Sequence, residues 1–193
     1  MKNITLHASA VRAMQKSLEP AGTFRQALRY IFLDVEARTA VATNGTILTE
    51  SAFIGSSEFT DYTPMSGYLV RLDKLISETW GTVTLDLETM RAHGDNRASK
   101  HSCGFQFPDD GTTPKQFPSW RIVSAHQPDH GTAFVHAAPD CAANSIGMDL
   151  SIIAPVVGKH PVRFDWAAGG AHIRVTPLDH VGFLVTFMPC RLS

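Results

Sequence analysis

Hydrophobic and polar positions change period in the first part of the chain, and the changes mark out elements. Ile4 and Leu6 alternate with polar neighbours, which predicts a short strand over 4–7. Val11, Met14 and Leu18 then recur at helical spacing, predicting a helix over 11–18 that Ser9 can cap and Pro20 stops. Residues 28–35 and 39–43 read as strands, and 46–53 as the strand returning from Asn44-Gly45. That dipeptide predicts a type I′ hairpin turn, which needs positive φ at both central residues.

The same order of elements returns twice. Residues 68–71 form a strand, 72–79 a helix with Leu72, Leu75 and Ile76 on one face, and 83–87 a strand before Gly94-Asp95 turns the chain. Polar residues 97–102 and aromatic 105–107 close that sheet. After interruptions rich in Gly, Pro and Asp at 109–114 and 127–131, a strand near 145–148 precedes a helix over 150–157, which Pro155 weakens. Strands follow at 162–166, 172–176 and 181–187, with turns at Gly169-Gly170 and Leu178-Asp179. The pattern is strand, helix, then three strands, three times over. It predicts an α+β fold of antiparallel sheets with short helices on one face. A unit of roughly sixty residues buries too little surface alone, so the units should pair.

Composition narrows the function by exclusion. With 193 residues, 44% of them hydrophobic, the chain can bury a substantial core. Seventeen Lys and Arg nearly balance eighteen Asp and Glu, so attraction to phosphates must come from local placement of basic residues. The first residues show no apolar leader core, and no run approaches the ~18 to 20 apolar residues of a membrane span, so a cytoplasmic protein without membrane contact is expected. Cys103, Cys141 and Cys190 are widely spaced and read as reduced thiols. His126, His130, His136 and Cys141 cluster, but at spacings that match no familiar zinc pattern. Asp34, Glu36, Asp86 and Glu88 could be paired as acid and base, yet alternating Asp86 and Glu88 read better as a solvated sheet face. Trp80, Trp120 and Trp166 read as core or interface residues ahead of base-stacking platforms. Nucleophile-elbow, phosphate-loop and dinucleotide-binding motifs are absent. No catalytic residue, metal or cofactor is expected.

Three segments carry a resemblance: the turn VATNGTIL at 41–48, the linker motif QFPSWRIV at 116–123, and the terminal FMPCRL at 187–192. In that order, with these elements between them, they resemble the DNA polymerase III beta sliding-clamp family, particularly its short phage- or prophage-type relatives. YLVRLDKLI at 68–76 resembles that family's entry from a strand into a helix. The resemblance implies a complete clamp-like domain over 1–124, a linker over 125–131 and a C-terminal half domain over 132–193. An unpaired sheet edge on that half would invite another chain. Self-association is therefore expected, as a dimer in which two orphan halves complete one domain, or as a tetrameric ring.

The resemblance also implies partners. Short helices would face duplex DNA and contact it without reading sequence, through Arg12, Lys16 and Lys74, with Lys159 after the third helix and Arg25 and Arg29 after the first. A groove lined by the turn, the QFPSWRIV linker motif and the C-terminal strand would take a peptide from a DNA polymerase or another clamp-binding protein. By match to the family pattern its residues are Thr43, Gly45, Thr46, Ile47, Leu48, Thr186, Met188, Pro189, Cys190 and Arg191. The sequence departs from the pattern where aspartate-glycine-histidine-arginine becomes Asn44-Gly45-Thr46-Ile47, where a second methionine becomes Cys190, and where a proline expected shortly after QFPSWRIV becomes Ser124. These changes remove an imidazole and a guanidinium from the groove rim. The implied function is a non-enzymatic processivity factor for replication or repair. The alternative is a clamp-like interaction module that never closes a ring and binds or sequesters clamp-partner peptides.

Overall fold

The computed structural model of the chain describes residues 3–20, 24–56, 67–95, 102–121, 130–134, 150–166, 172–179 and 182–187. Strand β1 (Asn3–His7) alternates as expected, with Ile4 and Leu6 fully buried. Helix α1 (Ala8–Lys16) follows without a loop, His7 standing in extended conformation at its N-cap, so it begins three residues before the expected start. Its buried face is Ala8, Ala10, Val11, Ala13 and Met14. Ser17 ends it: the buried hydroxyl donates to the Ala13 carbonyl at 2.9 Å and shares a 2.6 Å hydrogen bond with Thr49 Oγ1.

A short 3₁₀ turn, Gln26–Arg29, occupies the start of the span expected to be strand 28–35, leaving β2 as Ile31–Asp34. Strands β3 (Thr39–Thr43) and β4 (Ile47–Ala52) form the expected hairpin, followed by β5 (Gly55–Ser56). Strands β6 (Gly67–Leu72), β7 (Thr82–Asp86), β8 (Arg91–Gly94) and β9 (Ser102–Gln106) make the second unit. The third contains β10 (His130–Phe134), helix α2 (Leu150–Val157), β11 (Val162–Trp166), β12 (Ile173–Pro177) and β13 (Leu184–Phe187). Strand β10 starts inside the interval assigned to the linker. The strand expected at 145–148 and the turn at Gly169-Gly170 lie outside the described residues.

The helix expected over 72–79 does not form. Leu72 belongs to β6, Ile76 is buried and Leu75 is 71% exposed, so the three residues read as one helical face are split. Residues 73–80 form an irregular strap across α1, whose side chains supply its hydrogen bonds. Gln15 Nε2 donates to the Lys74 carbonyl at 2.8 Å, Ile76 N donates to Gln15 Oε1 at 3.1 Å, and Arg12 Nη1 donates to the Ser77 carbonyl at 2.7 Å. Tertiary partners thus outweigh the local periodicity. Helix α2 keeps Pro155 on its exposed side, with Ile153, Val156 and Val157 buried. It ends at Gly158, whose φ of 64° a side chain would resist.

All thirteen described strands join one antiparallel run in the order β10-β11-β12-β13-β4-β3-β2-β6-β9-β8-β7-β1-β5. The first two units exchange their leading strands: β1 pairs with β7 of the second unit, and β6 pairs with β2 of the first. Each unit therefore supplies a strand to the other's sheet. The third unit joins through β13, whose residues pair with β4 as Leu184 with Glu50, Val185 with Thr49, Thr186 with Leu48 and Phe187 with Ile47.

The main core lies between the sheet and its helices. It includes Leu6, Val11, Met14, Ile47, Val70, Ile153 and Val185. A second cluster covers the opposite sheet face: Ala27, Leu28, Tyr30, Val41, Leu48, Leu69, Phe117 and Trp120. Burial on both faces explains why Ala40, Val41, Ala42 and Thr43 are buried consecutively instead of alternating. Among the described residues, no helix is long and apolar enough to cross a membrane.

Candidate functional site

The site begins with the β3–β4 hairpin. Asn44 N donates to the Ile47 carbonyl at 3.3 Å, which makes Gly45 and Thr46 the two central residues of the turn. Positive φ falls on Gly45 alone, at 89°, so the glycine-first turn of a type II′ hairpin replaces the expected type I′. Asn44 serves through its side chain, its Oδ1 accepting from the backbone of Thr46 and of Ile47 at 2.9 Å each. Thr43 Oγ1 accepts from Gly45 N at 3.0 Å. The turn is thereby fixed by side chains on either side of the glycine.

A second wall comes from residues 113–121. Thr113 and Gln116 form a capping box around the 3₁₀ turn Pro114–Gln116, with Thr113 N donating to Gln116 Oε1 at 2.7 Å. Phe117 then packs on Phe32 at a centroid distance of 5.0 Å. Trp120 Nε1 donates to Asp34 Oδ2 at 3.2 Å, and Arg121 Nη2 reaches Asp34 at 2.9 Å and Glu36 at 3.0 Å. The hydrogen bonds to Glu36 and Asp34 hold the Arg121 guanidinium above its ordinary pKa. Residues 24–28 form the third wall, with Ala27 and Leu28 buried and Phe24 and Arg25 exposed.

These three segments enclose a groove of about 330 Å³, with Leu28, Leu48 and Trp120 in its apolar part and Thr43, Gly45, Gln116 and Pro118 around it. A second, more open hollow of about 520 Å³ lies across Trp120, where Glu50 and Ala52 of β4 meet Pro177, Phe183 and Leu184. Trp120 is the partition between the two.

The structure thus brings Thr43, Gly45 and Leu48 together in the groove. Thr186 is the cross-strand neighbour of Leu48 and is 2% exposed. Ile47 does not line the groove, because adjacent strand residues point to opposite faces and its side chain is in the main core with Phe187. Thr46 sits in the turn outside the groove lining. Met188, Pro189, Cys190 and Arg191 lie outside the described residues. The groove residues missed in the sequence are Phe24, Gln26, Ala27, Leu28, Gln116, Pro118, Ser119 and Trp120. The linker motif itself signalled the last four. Nothing local signals residues 24–28, which reach the groove only through the pairing of β2 with β3.

The basic residues divide. Arg12 and Lys16 lie on α1, Lys74 on the strap that α1 holds, and Lys159 just beyond α2, which packs on α1. Arg29 and Lys74 share a polar hollow of about 380 Å³ at the C-terminal end of α1 with Arg71, which sequence reading did not select. Arg25 stands apart at the rim of the groove, where its guanidinium lies over Gly45. His126, His136 and Cys141 of the histidine-cysteine cluster lie outside the described residues, and no group of three or more potential metal ligands occurs among the described ones.

No protein-family model matches the sequence, and no curated protein matches it. Solved structures do match. The chain aligns over its full length with the DNA polymerase III beta subunit of Thermotoga maritima, at a TM-score of 0.55 and 15% identity, covering 66% of that chain. The subunit beta of Pseudomonas aeruginosa aligns over 99% of this chain and 67% of its own, at a TM-score of 0.59 and 14% identity. The sliding clamp of Bartonella birtlesii, bound to griselimycin, aligns over 99% and 66%, at a TM-score of 0.60 and 17% identity. The chain therefore has the sliding-clamp fold, and it spans about two thirds of the length of the clamps it matches.

Proposed function

We propose that this protein is a DNA sliding-clamp-like accessory factor for replication or repair, without catalytic activity of its own. Its helix side faces duplex DNA and its groove tethers a DNA polymerase or another protein carrying a clamp-binding peptide. The observation that carries the reading is the convergence on one face of β3 and β4 of the turn 43–48 and the segment 116–120, with β13 paired alongside. An apolar, concave site of about 330 Å³ with few polar groups suits a short peptide with hydrophobic or aromatic anchors. Thr186, and with it Met188, Pro189, Cys190 and Arg191, would extend that wall.

On the opposite face, Arg12, Lys16, Lys74 and Lys159 stand on or beside helices that pack together. Basic side chains in that position hold phosphates without reading bases, as sequence-independent sliding requires. Retention on DNA would then be topological, through a ring of associated copies in the cytoplasm.

Light scattering across a concentration series tests the premise of encirclement. A discrete oligomer, a fixed multiple of the 21.1 kDa chain that persists on dilution, is expected. A monomer at all concentrations would contradict encirclement and leave a groove-bearing adaptor.

A further inference from the structure

The second hollow lies at the open end of the β3–β4 hairpin, where Thr39 pairs with Ala52, whereas the groove lies at the turn. Glu50 is the only charged residue among the described residues lining it. By register Glu50 shares a face with Val41 on β3 and Leu184 on β13, and its Oε2 is buried with no hydrogen-bond partner among the described residues. A carboxylate oxygen taken out of water without a donor is costly, so this one favours any ligand that brings a donor to it. The neighbouring cations do not supply one. Arg121 is spent on Asp34 and Glu36, and Arg163, cross-strand from Thr176, is spent on Asp165 at 2.9 Å. Arg174, cross-strand from Thr186, lies outside the lining.

The rest of the hollow suits an aliphatic stem. Ala52, Pro177 and Leu184 give it apolar walls, and Trp120, its indole held by Asp34, closes the side towards the groove. Ser51 Oγ donates to the Gly182 carbonyl at 2.6 Å, which fastens the approach to β13 against β4 and fixes the shape of the site. A long side chain with an apolar stem and a cationic head matches both the walls and the carboxylate, and an indole beside the head adds to the attraction.

We infer that the second hollow receives a Lys or Arg side chain of the partner protein, its stem against Pro177 and Leu184 and its head paired with Glu50, as a contact separate from the groove. This inference rests on the groove being a peptide site. Leu48 and Glu50 stand two residues apart on one face of β4, about 7 Å at ~3.3 Å per residue, with Trp120 between the two hollows. The cation therefore follows or precedes the groove's apolar anchor by roughly two to four extended residues, and the two contacts reinforce each other through the chain that links them.

Fluorescence anisotropy with labelled peptides tests it. Each peptide has a core containing Gln, Leu and Phe, extended at either end by a short Gly-Ser spacer of varied length and then by Arg, norleucine or Glu. At the best spacing the Arg peptide should bind the full chain roughly three- to fivefold more tightly than the norleucine peptide at low salt, with the Glu peptide weakest, and the gap should narrow at high salt. Glu50→Gln should bring the Arg peptide to the level of the norleucine peptide without changing the affinity of the unextended core, and Glu50→Lys should favour the Glu peptide. The unchanged core reports that each variant is folded. No preference for Arg over norleucine at any spacing, or a preference that survives Glu50→Gln, overturns the pairing with Glu50 and leaves the groove reading intact. No binding of the core peptide overturns the groove reading, and this inference with it.

Discussion

The indole Nε1 of Trp120 donates a hydrogen bond to the carboxylate of Asp34 at 3.2 Å, across 86 residues of sequence. Asp34 is 5% exposed at the end of β2 and accepts also from Ala37 N at 2.9 Å and from Arg121. One carboxylate thereby closes the turn after β2 and fastens the segment that forms a wall of the groove. Asp34→Ala should destabilise the chain by about 1–3 kcal/mol, since it leaves a buried indole N–H without its acceptor. Urea unfolding measures this, and peptide affinity should fall with it because Trp120 loses its anchor.

Leu48 and Ile47 are neighbours in β4 that serve different faces, one in the groove and one in the main core. Leu48→Ala should weaken peptide binding by about 1–3 kcal/mol. Ile47→Ala should lower stability by about 2–5 kcal/mol and leave affinity per folded molecule nearly unchanged. Paired urea and anisotropy measurements on the two variants separate the faces.

Gly45 combines a φ of 89° with a guanidinium packed over its Cα. A side chain there meets both backbone strain and Arg25. Gly45→Ala should cost about 1 kcal/mol or more in stability and displace Arg25 from the groove rim, which urea unfolding of the variant measures.

Acid should weaken the fold through its turn carboxylates. Asp86 is held below the ordinary carboxylate range first by the Thr89 hydroxyl, Asp95 first by the backbone N–H of Thr82, and Asp110 first by the Thr112 hydroxyl. A carboxylate whose folded pKa is depressed contributes stability that is complete above its unfolded value near pH ~4 and is lost as pH falls through the folded value. The urea midpoint should therefore hold above that pH and drop below it. Asp95→Asn should flatten the drop, and an unchanged acid limb in that variant would contradict the assignment.

Much of this fold is legible from periodicity where one face of an element is buried. Strand β1 alternates visibly, and the turn and linker motifs mark two walls of the groove. Where a tertiary partner decides, the local signal misleads. Leu72, Leu75 and Ile76 have helical spacing, but β6 takes Leu72 while Gln15 and Arg12 satisfy the strap. Gly45 is correctly a turn glycine, yet the turn centre is one residue later than Asn-Gly suggests, because Asn44 spends its side chain capping Thr46 and Ile47. Arg25, read as a cation following the first helix and facing DNA, is at the groove because Glu19 and Asn44 hold it there. No pattern within residues 24–28 carries that information.

The most direct test of the proposed clamp is retention on nicked circular DNA before and after linearisation, with the protein assembled on the circle at a concentration where it associates. A ring held by topology should stay on the circle through gel filtration at moderate salt and slide off once a single cut gives the DNA ends. Equal retention on circular and linear DNA, or none on either, would contradict encirclement.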